Sequence, residues 1–274
     1  MTLLQAILLG IIQGMTEFLP ISSSGHLVIV PYLLGWDIPA QDAFVFDVLV
    51  QVATLLAVFA YFWTDIITIL RAMLTGLLNR RPFEAPQARL GWHLIIATLP
   101  AGVIGLALKP TVERAFDSPS ATGFFLIVTA GILLIAERLG KRIHKLEALT
   151  WKDAVWIGFA QALSIFPGVS RSGATTAGGM TRDLERAASA RFAFLLSIPI
   201  MLAAGGLACL DLFQIPDFIS LLPVFLPGFL VAAIVGYLSI RWLLHFLTRH
   251  PLYIFVLYCA ILGSLVLVLS ATGY

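Results

Sequence analysis

Two short segments of this 274-residue sequence gather hydroxyls, glycines, a proline and isolated charges. The first runs from Gln13 through Glu17 and Pro20 to Ser22, Ser23, Ser24, Gly25 and His26. The second holds Pro167, Gly168, Ser170, Arg171, Ser172, Gly173, Thr175 and Thr176. Glu17 and His26 are the only acidic or basic side chains of residues 1–36, and Arg171 is the only one between Asp153 and Arg182. An arginine among serines and glycines suits a phosphate or carboxylate. Its planar fork binds two oxygens at once, and the surrounding backbone can offer a nest of N–H donors. A helix starting after Ser24 or Ser172 would point its positive end at the same anion. Ser22, Ser23 or Ser24 could attack phosphorus while His26 or Glu17 accepts the proton. The Glu17 carboxylate could instead hold a divalent cation beside the phosphate oxygens.

The elements that must carry these groups lie in a membrane. Apolar residues make up 59% of the chain, charged residues 12%, and the mean hydropathy is +0.97. A soluble domain is nearer 45–50% apolar and about 25% charged. The apolar runs are continuous, whereas barrel strands alternate over about ten residues. Six stretches reach the roughly 20 residues that a helix needs to cross: 44–63, 93–109, 121–137, 191–210, 222–243 and 251–271. Segments 1–30 and 153–181 are apolar but broken. The net charge of +2 is carried in loops, where it sets orientation rather than binding nucleic acid. The loops 64–92 and 138–152, with Arg241 and Arg249, concentrate Arg and Lys and are assigned to the cytoplasm. The linker 31–43 and the loop 211–221 have none and are assigned outside. Alternation then makes both broken segments re-entrant hairpins, one from each face. No removable signal peptide is expected, because the N-terminus lacks a charged region and a cleavage site.

The broken segments also match each other at a constant spacing of 148 residues (Ala6 to Ala154). Gly10, Gln13, Phe18, Ser22, Ser24 and Gly25 fall on Gly158, Gln161, Phe166, Ser170, Ser172 and Gly173. With opposite faces, this reads as an inverted-topology repeat whose broken elements meet near the midplane, its halves approximately 1–137 and 150–274 of a single membrane domain. The expected fold is an all-α polytopic protein of six transmembrane helices and two re-entrant hairpins. Asp47 and Gln51 share one face of the first span, and either the cavity or the outer interface would suit them. Thr181 to Glu185 reads as a helix cap, and Cys209 and Cys259 as buried hydrophobes. A Glu17–Arg171 pair that merely ties the halves together is the bland alternative. A lipid-phosphate carrier is the rival functional class, since broken helices in inverted repeats are transporter architecture.

At these residues the sequence resembles the undecaprenyl-diphosphate phosphatase family of the bacitracin-resistance type. Gln13 to Glu17 followed by Ser22 to His26 is similar to one family signature, with Gln13 where many members carry Glu. Pro167 to Thr175 is similar to the other. The resemblance implies hydrolysis of a polyprenyl diphosphate to the monophosphate and inorganic phosphate, recycling the cell-wall carrier lipid. It implies a divalent cation, Mg or Ca, with Glu17 as its ligand, and the bacterial inner membrane with a site open to the outside. It implies Ser23 as nucleophile, Arg171 as phosphate clamp, and Glu17 and His26 as acid–base groups. Gln13, Ser22, Ser24, Ser170, Ser172, Gly173 and Thr175 would complete the phosphate cradle. The expected partners are the lipid substrate and the bilayer, not nucleic acid, and a homodimer is allowed.

Overall fold

A computed structural model describes residues 1–116, 118–212, 215 and 218–272. Among them there is no β-strand, and the helices are α1 (Leu3–Thr16), α2 (Ser23–Leu33), α3 (Ala40–Tyr61), α4 (Trp63–Leu78), α5 (Pro86–Ala107), α6 (Lys109–Phe116), α7 (Pro119–Leu139), α8 (Trp151–Ala162), α9 (Arg171–Met180), α10 (Arg186–Leu212), α11 (Phe218–Leu247) and α12 (Tyr253–Ala271).

Six of them, α3, α5, α7, α10, α11 and α12, are long and apolar enough to cross a membrane, and each overlaps one expected span. Large apolar side chains stand exposed on them, such as Leu106 at 71% and Ile261 at 59%. A soluble protein rarely shows such faces in continuous patches. The molecule is a multi-pass membrane protein. The four helices of the broken segments are much shorter. The longest, α1, has 14 residues, or about 21 Å at ~1.5 Å per residue, short of the ~30 Å hydrocarbon core.

The broken segments start and stop for matched local reasons. Thr2 and Thr150 each begin a helix with a capping box, closed by Gln5 and Asp153 three residues on. Such a box satisfies two of the free N–H groups at a helix start. Ser22 and Ser170 cap α2 and α9 by accepting from the N–H of Gly25 and Gly173, at 3.2 and 3.0 Å. Each pair keeps the 148-residue spacing. The packing follows the same pairing, α1 lying along α11 and α8 along α5. Gly10 touches the Gly228 carbonyl, and a Cβ on Gly158 would sit 2.6 Å from the Ala97 carbonyl oxygen. A larger residue at either place would push the helices apart.

Three local readings change. The loop 64–92 contains α4, whose Leu70, Leu74 and Leu77 are exposed on the same helix as Asp65 and Arg71. The amphipathic period of α4 does not show in its charges alone. A second short helix, α6, precedes α7. Thr181 does not open a helix: it closes α9, and α10 begins at Arg186. The intervening turn puts Asp183 at φ 65, and its carbonyl accepts from the N–H groups of Ile143 and His144. The loop 211–221 is shorter than expected, since α10 runs to Leu212 and α11 begins at Phe218; residues 213, 214, 216 and 217 lie outside the described residues, as does the side chain of Cys209. Cys259 is buried.

A buried carboxylate ties the ends of three spans. Glu137, 3% exposed, accepts from Arg142 at 2.7 Å, from Arg186 Nε at 3.0 Å and from the Leu252 N–H at 3.1 Å. Two cations and a backbone donor offset the desolvation of one acid, so α7, α10 and α12 are fixed at that end. Further in, Phe18 packs edge-on against Phe194 at 5.5 Å, and Phe166 stacks on Phe125 at 4.8 Å. These rings anchor the chain beside each break.

Candidate active site

The breaks place the functional groups. The α1 helix ends at Thr16, and a turn through Pro20 leads to the Ser22 cap. In the second segment a 3-10 turn, Leu163–Ile165, leads to Pro167 and Gly168. Gly168 takes φ 98, a conformation a side chain would resist. Its N–H donates to Ser22 Oγ at 3.1 Å, stitching one break to the other. Ser172 Oγ adds a second stitch to the Leu19 carbonyl at 3.0 Å. The two breaks are therefore in direct contact, as the shared anion site requires.

Glu17 is the hub. Its side chain is 8% exposed and its Oε1 pairs with Arg171 Nη2. Its Oε2 accepts from Ser23 Oγ at 2.5 Å and from Gln13 Nε2 at 3.1 Å. Arg171 Nη2 also reaches Met201 Sδ at 3.2 Å. The Nε and Nη1 donors of Arg171 have no hydrogen-bond partner among the described residues, and the side chain is 23% exposed. A paired, partly accessible guanidinium with free donors has the chemistry to receive an anion without first being ordered. Gln13 Oε1 is buried and has no hydrogen-bond partner among the described residues.

The remaining candidate residues lie at the starts of α2 and α9. Ser24 Oγ lies 3.3 Å from Ser22 Oγ, and Ser170 Oγ lies 3.1 Å from Ser172 Oγ. Ser22 and Ser170 spend their oxygens on the caps. Thr175 bonds back to the Arg171 carbonyl at 2.7 Å. Gly173 sits in close contact with Pro20, where a Cβ would come within 3.3 Å. His26 is turned away from Ser23. Its Nδ1 is 2.7 Å from the Ser22 carbonyl and its Nε2 2.6 Å from Tyr258 Oη. Of the two bases that the sequence leaves open for Ser23, Glu17 is the one in contact. Asp47 is half-buried on α3 and joins none of these hydrogen bonds among the described residues.

A family model described as bacitracin resistance protein BacA matches residues 6–265, almost the whole chain. The chain belongs to this family. Full-length relatives include a Chlorobium phaeovibrioides protein named undecaprenyl-diphosphatase, 43% identical over 284 residues and covering 100% of this chain and 99% of its own. A Myxococcus xanthus protein of the same name is 42% identical, covering 100% of this chain and 91% of its own. One from Methanosphaera stadtmanae is 39% identical, covering 98% of both. Within this BacA-family chain, three site neighbours escape a reading by motif. Tyr258 and Met201 sit in ordinary apolar spans. Thr129, buried in α7, accepts from the Ser170 N–H at 3.1 Å and donates to the Gly168 carbonyl at 2.8 Å. A threonine in a span carries no signal, and only contact across the fold reveals it.

Proposed function

We propose that this protein hydrolyses undecaprenyl diphosphate to the monophosphate and inorganic phosphate, the activity named in its relatives. The observation that carries the reading is the hub: a serine hydroxyl on a carboxylate, beside an arginine with free donors. Arg171 Nε and Nη1 grip oxygens of the terminal phosphate and stabilise charge on the transferred group. Ser23 Oγ attacks phosphorus as Glu17 takes its proton, the anhydride P–O bond breaks, and the lipid monophosphate leaves with that proton. Water then attacks the phosphoserine. Glu17 takes the water's proton and returns it to Ser23 Oγ. Ser22, Ser170 and Gly173 hold the two helix starts, and Ser24, Ser172 and Thr175 complete the polar wall.

A divalent cation, Mg or Ca, fits the donor set. Hard cations take oxygen ligands and often need only one or two carboxylates, the remainder coming from phosphate and water. Among the described residues no cluster of three acidic, histidine or cysteine side chains exists. Glu17 with the unpartnered Gln13 Oε1 would hold the ion together with the substrate. When bound, the ion would neutralise phosphate charge.

The test is phosphate release from undecaprenyl diphosphate by purified protein in detergent. A carrier needs Arg171 but has no use for the Ser23–Glu17 bond, and it would release nothing. Release at a sustained rate supports hydrolysis, and its absence with pure, folded protein sinks it.

The protein is read as resident in the bacterial inner membrane, its halves an inverted repeat and its short helices two re-entrant hairpins. The matched caps and the asymmetry of Arg and Lys support this reading. In a background lacking Cys209 and Cys259, Asp37→Cys should react with an impermeant maleimide in intact cells. Glu147→Cys should react only after permeabilisation. The reverse pattern, or equal labelling of both, overturns the topology.

A further inference from the structure

The two helix starts that build the site differ in one respect. Ser170 opens α9 from an ordinary extended conformation, φ −67 and ψ 120. Ser22 opens α2 from φ 70 and ψ 100, a region where a Cβ is disfavoured. Four residues after Ser170 stands Ala174. Four residues after Ser22 stands His26. The strained start is the one with an imidazole behind it.

That imidazole is fully engaged. It is 6% exposed, with Nδ1 2.7 Å from the Ser22 carbonyl oxygen. A carbonyl can only accept, so Nδ1 carries the hydrogen. The neutral ring then offers a lone pair at Nε2, into which Tyr258 donates its hydroxyl at 2.6 Å. The two rings are nearly coplanar in orientation, 9° apart, with centroids 5.7 Å apart. The one nitrogen that could act as a base is thus occupied, and the Ser23 hydroxyl points elsewhere, to Glu17.

We infer that His26 and Tyr258 form a positioning pair. The His26 imidazole pins the Ser22 peptide in its positive-φ conformation, which turns Ser23 toward Glu17. Tyr258, from α12, fixes the tautomer that makes this hydrogen bond. The inference rests on the proposed hydrolysis only for its kinetic readout.

Three variants and a chemical probe test it. His26→Asn places an amide N–H close to where Nδ1 stands but has no titrating nitrogen. His26→Ala has neither. Tyr258→Phe keeps the ring and removes the donor. The His26→Asn protein should keep kcat within about tenfold of the parent with the same pH profile. His26→Ala should lose about 10²-fold or more, the scale of a misplaced catalytic contact. Tyr258→Phe should lower kcat about fivefold at constant KM, the size of one hydrogen bond. It should also speed carbethoxylation of His26 by diethyl pyrocarbonate, mapped by peptide mass spectrometry, because Nε2 is uncovered. If His26→Asn is as inactive as His26→Ala, His26 is a base and the inference fails. It fails equally if Tyr258→Phe changes neither kcat nor the modification rate. Should the parent protein release no phosphate, the hydrolytic reading falls, while the modification rates still decide the pair.

Discussion

Ser23→Ala should reduce phosphate release by more than about 10³-fold while substrate still binds, since loss of a catalytic serine can cost still more. The hydroxyl contributes to the reaction only when it bonds to phosphorus, so its removal falls on kcat and spares the ground state. The local structure should survive. Ser22, not Ser23, caps α2, and Glu17 keeps Gln13 and Arg171 as partners after the hydroxyl is gone. Turnover and equilibrium binding of the lipid, both in detergent, check the two halves of the claim. The parent protein mixed with labelled substrate and quenched in acid during turnover should yield a phosphopeptide containing Ser23, because a phosphoserine survives acid and a phosphohistidine does not. Near-normal turnover of Ser23→Ala would remove Ser23 as nucleophile and leave direct attack by water.

Arg171→Lys should lose about 10²–10³-fold in kcat, the range for one charge-stabilising donor placed at a transition state. Lysine preserves the charge and can still pair with Glu17. It cannot serve Glu17 through one nitrogen and phosphate oxygens through two others, as the guanidinium can. The variant should retain its helix content and thermal transition, since the stitches through Ser22 to Gly168 and Ser172 to Leu19 do not involve the guanidinium. Circular dichroism and steady-state kinetics on the same preparation separate the outcomes. A variant with ordinary turnover would make Arg171 a tie between the two breaks and nothing more. A variant that fails to fold would point to the same structural role.

Much of the architecture is legible along the chain because hydropathy summed over some 20 residues outweighs local propensity. The six spans, the two breaks at Pro20 and Pro167, and a candidate site of Glu17, Arg171 and the serines 22–24 follow from residue type and spacing, whereas the choice of Ser23 among those serines rests on the family resemblance. The matched capping boxes at Thr2 and Thr150 were also legible, as Thr followed three residues on by Gln or Asp, but are easily lost in apolar runs. The α4 helix does not stand out, because a basic loop and an amphipathic helix share a composition. Thr181 has the type of a helix cap but closes α9 instead, because a left-handed Asp183 shapes the turn that follows, and no pattern announces that conformation.

Residue types along the chain are enough for a helical membrane protein with one candidate anion site divided between two broken segments. Charge, hydroxyls and breaks are properties of the residues, and the 148-residue spacing implied that the segments belong together. Which candidate base touches Ser23 is visible only in the packed fold. Glu17 is six residues away in sequence and His26 only three, yet the turn at Ser22 aims the hydroxyl at Glu17. His26 is claimed by Tyr258, 232 residues along the chain. A hydrogen bond selects by direction and distance within a few tenths of an ångström, and that selection is made only when distant helices pack.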